Sequence, residues 1–314
     1  MALVSISPQK PLKLDLYDKK ILYYLSRNSR MPMKQLAKRL RVSPQRLHYK
    51  LQRLTKELID PLILINYQAI GIKMHLLFLP SLSEETKQKL MDDPSVAFFM
   101  QAVGKYQYIL NVLHQNIDEF CKDLLSEHHA EIVEVIRQIP DSYNPFLIGK
   151  IPEAIKKDKK IQLDKKDFRI LLQLSKNPID SLSKLSEATG IDRQTIKARV
   201  QRMEDANIIQ KFRYSMNIFK LGFLIYFVRL DVTPTSREKI LNDLRNDNYS
   251  GMVFATHTGF VFFYLPPSHK ELFALIENIQ TKYPDVQMEI IQNMEYFKIN
   301  PSPSNVLKEL LNDN

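Results

Sequence analysis

The chain contains two copies of one unit, and this duplication constrains its fold more than any other feature. Residues 14–22 recur as residues 163–171, an offset of 149. At that offset, residues 14–59 and 163–208 are identical at 13 of 46 positions. Self-similarity at a fixed spacing indicates a repeated structural unit, and small loop insertions explain later shifts of the register. We therefore expect two similar units, called here the first copy (residues 10–150) and the second copy (residues 151–300).

Composition narrows the class of protein. The chain has 314 residues, of which 44% are hydrophobic and 25% are charged, as in ordinary folded domains. The N-terminal sequence lacks a basic leader and no apolar run approaches the length of a membrane span, so we expect a cytoplasmic protein without a membrane partner. Cys121 is the only cysteine, which excludes an internal disulfide and a cysteine-based zinc site; we expect it to be buried. The seven glycines form no nucleotide-binding loop, and we predict neither a cofactor nor a metal.

Positive charge is concentrated at the start of each copy. Residues 10–60 carry a net charge of +10 and residues 156–213 carry +7, whereas the rest of the chain carries −7. Lysines solvated without a partner would explain the total charge but not its segregation. Basic segments on an acidic body are expected where those segments meet phosphates. We therefore predict double-stranded DNA as the partner.

The first basic segment has the spacing of a helix-turn-helix. Asp18 can cap or begin a helix with apolar residues at 21, 22 and 25, and a second short helix is expected over residues 33–40. Ser43 is a good N-cap before Pro44, and the third helix, residues 44–56, has leucines at i, i+4 and i+7. The opposite face of this helix carries amides, cations and a tyrosine but no acid, which suits a helix in the major groove.

Individual roles follow from this geometry. Arg46, Tyr49, Gln52 and Arg53 are predicted to contact bases. Backbone positioning is assigned to cations on the second and third helices, and Ser43 and Gln45 complete the surface. These positioning residues are Lys34, Lys38, Arg39 and Lys50.

The second copy repeats the plan with a weaker DNA surface. Residues 189–191 form the turn, Asp192 is the expected N-cap, and the recognition helix covers residues 192–205. Its outer face includes Ala198 and Asp205, so we expect the first copy to dominate base contacts, while the second adds phosphate contacts or has drifted towards a structural role. The predicted DNA contacts here are Arg193, Gln194, Thr195, Lys197, Gln201 and Arg202.

Strand-like residues follow each basic segment, at 61–67 and 208–214, and predict a wing hairpin or a connecting strand, where Lys211 and Arg213 could touch the DNA backbone. Each copy then has the pattern βαββαβ, typical of a ferredoxin-like plait. The fold class is therefore α+β, with two winged helix-turn-helix domains alternating with two ferredoxin-like domains. The expected boundaries are 10–66, 67–150, 151–214, 215–300 and a C-terminal tail, 301–314.

This arrangement resembles the Lrp/AsnC (feast/famine) transcriptional regulators over nearly the whole chain. The resemblance rests on Leu14-Asp15-x-x-Asp18 with Ile21-Leu22, on residues 43–54, on Ile70-Gly71 and on Gly104-Lys105-Tyr106-Gln107. The second copy matches through Leu163-Asp164-x-x-Asp167 with Ile170-Leu171, residues 192–203 and Leu221-Gly222.

The resemblance implies plaits that pair, with an amino-acid effector bound between them. Family members typically carry one unit per chain, so the two halves here could form the pseudo-dimer within one chain. A homo-oligomer with an even number of plaits is expected. Gly104, Tyr106 and Gln107 are the implied effector contacts; Gln107 stands where the family has an acid, and the second copy has only Gly259-Phe260-Val261 nearby.

Two alternatives belong to other functional classes. Siroheme decarboxylases resemble the same two-domain unit and would need cations and histidines for tetrapyrrole carboxylates, but the seven histidines are scattered along this sequence. An architectural protein would bind DNA without sequence preference. We predict a sequence-specific, double-stranded DNA-binding transcriptional regulator that is not an enzyme.

Overall fold

The computed structural model describes residues 11–139, 146, 158–299 and 304–313, which divide into two compact units. The helical unit comprises the described residues of 12–70, 156–217 and 301–314, and therefore holds both helix-turn-helix segments. The sheet unit comprises those of 1–11, 71–155 and 218–300, and holds both plaits. The four domains expected from the sequence are thus grouped in pairs of like kind.

The element order repeats, as the duplication predicts. In chain order the elements are α1 (Leu16–Arg27), α2 (Met33–Leu40), α3 (Pro44–Glu57), β1 (Ile59–Ile65), β2 (Met74–Leu79), α4 (Glu84–Asp92), β3 (Val96–Val103), β4 (Tyr108–Leu113), α5 (Ile117–His128), β5 (Glu131–Ile139), α6 (Lys165–Lys176), α7 (Leu182–Thr189), α8 (Arg193–Asp205), β6 (Ile209–Met216), β7 (Tyr226–Asp231), α9 (Arg237–Asn246), β8 (Ser250–Thr256), β9 (Gly259–Tyr264), α10 (His269–Lys282), β10 (Gln287–Ile299) and α11 (Ser304–Asp313).

The N-cap of the first helix lies three residues before the expected one. Asp15, not Asp18, is the N-cap of α1: the Asp18 backbone N–H donates to Asp15 Oδ1 at 2.9 Å, and the Asp15 N–H donates to Asp18 Oδ2 at 3.0 Å. This reciprocal capping box satisfies two backbone donors at the helix start. Asp164 and Asp167 repeat it on α6.

The strands that follow the recognition helices pair with each other. β1 and β6 form an antiparallel ladder in which Ile63 lies opposite Phe212. Each copy thus contributes one strand, so of the two alternatives the connecting strand is the one observed. Lys211 is only 8% exposed, on a strand that contacts α1 and α8. This ladder joins the two helix-turn-helix segments into one unit.

Arg30 makes contacts within the same unit that have no counterpart in the second copy. Its guanidinium lies 4.2 Å from the centre of the Phe212 ring, and its Nε donates to the carbonyl oxygen of Pro178 at 2.9 Å. Burial lowers the pKa of Arg30. The positions equivalent by the repeat are Ile179 and Ile63, which cannot form the same cation–π contact.

Residues beyond position 300, expected to form a tail, contain a helix. α11 packs against α6 and buries Val306, Leu307 and Leu310. Most of the expected linker lies outside the described residues. Its end is ordered by Asp158, which accepts hydrogen bonds from Asn66 Nδ2 at 3.2 Å and Asn207 Nδ2 at 2.6 Å.

The two plaits form one closed eight-stranded sheet. Each plait has the strand order of a ferredoxin-like fold, β3-β4-β2-β5 and β8-β9-β7-β10, which confirms the predicted fold class. Antiparallel pairing of β5 with β8 and of β10 with β3 joins them. Since all these strands belong to one chain, the expected pseudo-dimer of plaits forms within it.

Successive side chains along the strands point to opposite faces of the sheet, and each face has its own core. One face packs under the helices, with Leu77 and Phe99 beside Cys121 and with Val228 and Phe262 against α9 and α10. Cys121 is fully buried as expected, and burial raises the pKa of its thiol to about 12. The other face is rich in aromatic rings with centroids 4.9 to 6.5 Å apart, namely Phe78, Phe98, Phe227, Phe254 and Phe263.

In the part of the chain that the structure describes, every helix is too short or too polar to cross a membrane.

Gly259 is required by a close backbone approach at the start of β9. A Cβ at this position would lie 1.9 Å from the carbonyl oxygen of Leu230, whereas one at Gly251 would meet its nearest neighbour, the Phe263 Cβ, at 3.1 Å. We expect Gly259→Ala to lower the free energy of unfolding by about 3 kcal/mol, because backbone must move. Urea titration followed by circular dichroism, with Gly251→Ala as the milder control, checks this. Equal stability of the two variants would contradict it.

Candidate nucleic-acid interface

The recognition helix α3 is fixed at its start and along its inner face. Ser43 Oγ accepts the backbone N–H of Arg46 at 3.2 Å, and Pro44 occupies the first turn. Leu47 and Leu54 are fully buried. The predicted N-cap and apolar stripe are therefore present, and they set which residues face outwards.

The outward face of α3 presents polar and aromatic groups. Gln45, Arg46, Tyr49 and Gln52 are exposed, and Tyr49 is 71% exposed. The Arg46 guanidinium stacks on Tyr17, 4.7 Å from the ring centre, which limits its freedom before any ligand arrives. Large exposed donors on a pre-ordered helix suit contact with base edges.

The preceding helix, α2, adds a group of exposed cations, and the turn after it is tight. Lys34, Lys38 and Arg39 are all exposed, with Arg39 stacked 5.5 Å from the centre of the Tyr24 ring. Arg41 adopts a left-handed conformation, φ 56°, where the second copy has Gly190 at φ 70°. Predicted phosphate contacts therefore lie together on one helix.

Lys50 and Arg53, predicted to contact DNA, are held by acids of α1. Lys50 Nζ lies 2.6 Å from Asp15 Oδ2 and 3.0 Å from Asp18 Oδ1, and Arg53 Nη2 lies 2.5 Å from Asp18 Oδ2. Asp18 is only 1% exposed, so these cations neutralise a buried carboxylate. Sequence analysis missed this pairing, although a signal existed: Asp15, Asp18 and Arg53 are identical in both copies.

The second copy contains the same ion pairs. Arg199 Nη1 lies 2.8 Å from Asp164 Oδ1 and 2.9 Å from Asp167 Oδ1, and Arg202 Nη2 lies 2.5 Å from Asp167 Oδ2. The predicted DNA contact Arg202 therefore corresponds to Arg53 in structure as in sequence. Both copies use the pair to hold the recognition helix on the first helix.

The outward face of α8 differs from that of α3. Arg193, Gln194 and Lys197 are exposed and Thr195 is half-buried. Asp192, the N-cap, accepts the backbone N–H groups of Gln194 at 3.0 Å and Thr195 at 2.9 Å. Hydrogen bonds from Thr195, side chain and backbone, lower the pKa of Asp192, which is therefore an anion at neutral pH. Further along α8, the side-chain amide of Gln201 is hydrogen-bonded within the helix: its Nε2 donates to Asp205 Oδ1 at 3.0 Å.

The implied effector residues lie in the turn between β3 and β4. Gly104 is exposed with φ 132°, a conformation that favours glycine, and Gln107 is exposed while its backbone N–H donates to the Leu79 carbonyl oxygen at 2.9 Å. Tyr106 is buried and its hydroxyl donates to Glu131. The three residues are thus adjacent, but the tyrosine hydroxyl already has a partner within the chain.

Glu131 links the two plaits through Arg229. It accepts from Tyr106 of its own plait and from Arg229 of the other, and Lys105 Nζ lies 4.0 Å from Glu131 Oε2. Burial acts to raise the pKa of Glu131, but the hydrogen bonds from Tyr106 and Arg229 outweigh it and the pKa is lowered. The carboxylate is therefore ionised at neutral pH. In the described part of the chain, no three His, Cys, Asp or Glu side chains are grouped to hold a metal ion.

Comparison with known proteins identifies relatives of both helix-turn-helix segments. Residues 14–57 and 163–210 each match a family model described as winged helix-turn-helix DNA-binding. An uncharacterized HTH-type transcriptional regulator of Pyrococcus abyssi is 31% identical over 87 residues, which are 27% of this chain and 55% of that protein. The chain thus spans about half the length of the curated relatives that it matches first.

The chain thus contains two segments that are each similar to winged helix-turn-helix DNA-binding domains.

A second comparison concerns the fold of the whole chain. The crystal structure of the siroheme decarboxylase NirDL aligns with 95% of this chain and 99% of its own, with a TM-score of 0.61. Sequence identity is 10%, so the likeness shows a shared fold alone.

A second relative from Pyrococcus abyssi, again an uncharacterized HTH-type transcriptional regulator, is 24% identical to this chain over 145 residues. These residues are 44% of this chain and 98% of that protein.

The structural role of Arg53 can be tested by removing its side chain. Arg53→Ala leaves Asp18 buried with Lys50 alone, and we expect a loss of about 1 to 3 kcal/mol in the free energy of unfolding. Arg46→Ala, on the exposed face, is the matched control and should change it by less than about 0.5 kcal/mol. Urea unfolding of both variants at one ionic strength is the measurement. Equal losses would show that the pair does not hold the helices together.

The Lys50 pair also predicts a dependence on pH. Partial burial acts to raise the pKa of Asp15, but the hydrogen bonds from Lys50 and the Asp18 backbone outweigh it and lower the pKa from 3.8 to about 2. The stabilisation is therefore present above about pH 4 and is lost as the pH falls towards 2. Asp15 is 52% exposed, so we expect no more than about 1 kcal/mol.

Asp15→Asn isolates this charge because the amide oxygen can still cap α1. The difference in unfolding free energy between wild type and variant should be largest near pH 6 and fall to a small fraction of that value by pH 2. Asp164→Asn is the counterpart in the second copy, where the pKa of the cap is likewise lowered. A difference that stays constant from pH 6 to pH 2 would rule out the ion pair as its source.

Proposed function

We propose that this chain is a DNA-binding transcriptional regulator that contacts double-stranded DNA through α2 and α3. One observation carries the proposal: a winged helix-turn-helix domain places exposed cations and amides together on these two helices. Names of relatives found by sequence comparison agree, since they are HTH-type transcriptional regulators. No part of the proposal depends on catalysis, and the protein is proposed not to be an enzyme.

The structure refines which side chains are proposed for each role. Arg46, Tyr49 and Gln52 contact base edges, with Gln45 beside them, because they are exposed on the outward face of α3. Phosphate contacts come from Lys34, Lys38 and Arg39 and from the start of α3 at Ser43. Lys50 and Arg53 act indirectly, by holding α3 against α1 through Asp15 and Asp18.

Regulation by a small molecule and assembly through the plaits form a second part of the proposal. Gly104 and Gln107 are exposed in one turn, beside the Glu131–Arg229 pair between the plaits. A ligand that competed for Glu131 or Arg229 would change how the plaits are joined. Homo-oligomers would then place further helix-turn-helix pairs on DNA, with an even number of plaits.

One observation favours a second candidate function. The shared fold with a siroheme decarboxylase covers nearly the whole chain, and Lys105 and Arg229 supply cations at the junction of the plaits. A tetrapyrrole with several carboxylates could pair with such cations. Titration with an iron uroporphyrin followed by absorption spectroscopy tests this. A saturable Soret shift that Arg229→Met abolishes would favour the enzyme.

Selection from randomised duplex DNA at about 150 mM salt tests the principal function. We expect an enriched motif, and Gln52→Ala should relax the preference at one base pair by about 1 to 3 kcal/mol. Lys38→Ala should weaken binding to all sequences and reduce the slope of log K against log salt by about 0.9. Lys239→Ala, which removes an exposed cation from α9, is the charge-matched control and should change neither quantity.

Tight binding without an enriched motif would instead indicate an architectural protein. The absence of any DNA binding would overturn the proposed function altogether.

A further inference from the structure

The two recognition regions share a scaffold but differ in the residues that would face DNA. On α2 the exposed cations are Lys34, Lys38 and Arg39. The repeat places Ser183, Glu187 and Ala188 at the same positions of α7, also exposed. Three positive charges are thus replaced by one negative charge and two neutral groups. Lys184 is exposed on α7 where the first copy has Gln35, and its charge is offset by that of Glu187. Because phosphate contacts depend on cations, α7 offers DNA a weaker anchor than α2.

The start of the recognition helix differs in the same direction. Ser43 caps α3 with a neutral hydroxyl, whereas Asp192 caps α8 with a carboxylate. That carboxylate already accepts the N–H groups of Gln194 and Thr195, which a phosphate would otherwise engage. An anion at this position also repels a phosphate. The cap of α8 therefore suits the DNA backbone less well than the cap of α3, although Arg193 and Lys197 are exposed beside it.

The outward faces of α3 and α8 show the same loss. Tyr49 corresponds to Ala198, and Arg46 to Thr195. Gln52 is retained as Gln201, but Gln201 donates to Asp205, which stands where the first copy has Lys56. Gln45 is retained as Gln194, which is exposed on α8 together with Arg193 and Lys197, but the tyrosine and the ring-stacked arginine of α3 have no counterpart there.

What the second copy has retained is the set of contacts that hold the helical unit together. Asp167 with Arg202 repeats Asp18 with Arg53 at the same distance of 2.5 Å. β6 pairs with β1, and the Phe212 ring contacts the Arg30 guanidinium. Residues that support the fold have thus been kept, while most of those that would face DNA have changed; the two outward glutamines, Gln45 and Gln52, are the exceptions.

We propose that only the first copy contacts base edges, that the second copy is its scaffold, and that one chain therefore occupies a single half-site of DNA. This inference rests on the proposed function and specifies the DNA that is bound. The site for one chain is a single half-site, with no inverted copy of it for the second recognition helix of the same chain. A palindromic operator would then require one chain for each half.

Matched substitutions test the assignment, using full-length protein and the selected duplex. Gln52→Ala should weaken binding about tenfold, the effect of losing one good base contact, whereas Gln201→Ala should change it less than twofold. Native mass spectrometry on the same duplex should give one chain per half-site. Equal losses from the two variants, or one chain spanning two inverted half-sites, would overturn the inference.

A gain-of-function variant provides an independent readout. Glu187→Lys with Asp192→Ser gives the second copy the residues of the first, and should strengthen binding and steepen the slope of log K against log salt by about 1. No change in slope would show that these two acids are not what keeps the second copy from DNA, contrary to the inference. A weaker affinity would show that those acids assist binding, contrary to the inference. A wild-type protein that selects no DNA refutes the proposed function itself, so the two failures are distinguishable.

Discussion

The antiparallel ladder between β1 and β6 is the contact on which the helical unit depends. Each strand follows a recognition helix directly, so pairing Ile63 with Phe212 fixes both helices on one two-stranded sheet. An isolated strand would present unpaired backbone groups to solvent, and two strands alone are only marginally stable. The strands persist because their own apolar residues, including Leu62 and Tyr214, are buried in the helical unit, as is Leu58 at the end of α3. Sheet pairing and helix packing therefore stabilise each other.

The sheet unit resolves the same problem by closing on itself. A single ferredoxin-like plait leaves two edge strands, and here β5 with β8 and β10 with β3 pair those edges. The ladder is irregular at both joins, with a register shift between Val135 and Arg137 and another between Asn293 and Glu295. Bulges of this kind bend strands and increase twist, which closure of a small sheet requires. Inside one chain, closure does not depend on protein concentration.

Local patterns in the sequence predicted the elements well because those patterns are physical causes. Apolar spacing with Ser43 and Pro44 predicted α3, and the repeat predicted α8 from α3. Pairing between distant residues was harder. Nothing in the spacing of α3 distinguishes Arg53, which neutralises a buried acid 35 residues earlier, from Arg46, which is exposed. A helix wheel assigns both to the polar side, since only the tertiary structure shows that Asp18 lies beside one of them.

The duplication itself carried the missing information. An exposed contact residue can change in one copy without affecting folding, whereas a buried ion pair cannot lose one member without leaving an uncompensated charge. Identity of Asp18 with Asp167 and of Arg53 with Arg202 therefore marks residues that hold the unit together. Divergence of Tyr49 from Ala198 marks residues on which the fold does not depend. The same comparison separates α11, which packs on α6 of the second copy only, from the repeated core.

Fusion of two copies also removes a constraint that acts on a homodimer. In a symmetric dimer every substitution appears twice, so a surface cannot lose DNA contacts on one side and keep them on the other. In a single chain each copy can change alone, provided that β1 still pairs with β6 and the plaits still close. Arg30 on Phe212 shows this freedom, since the equivalent positions hold Ile179 and Ile63. Retained interior pairs and divergent outward faces are the pattern expected when one copy specialises in binding and the other in support.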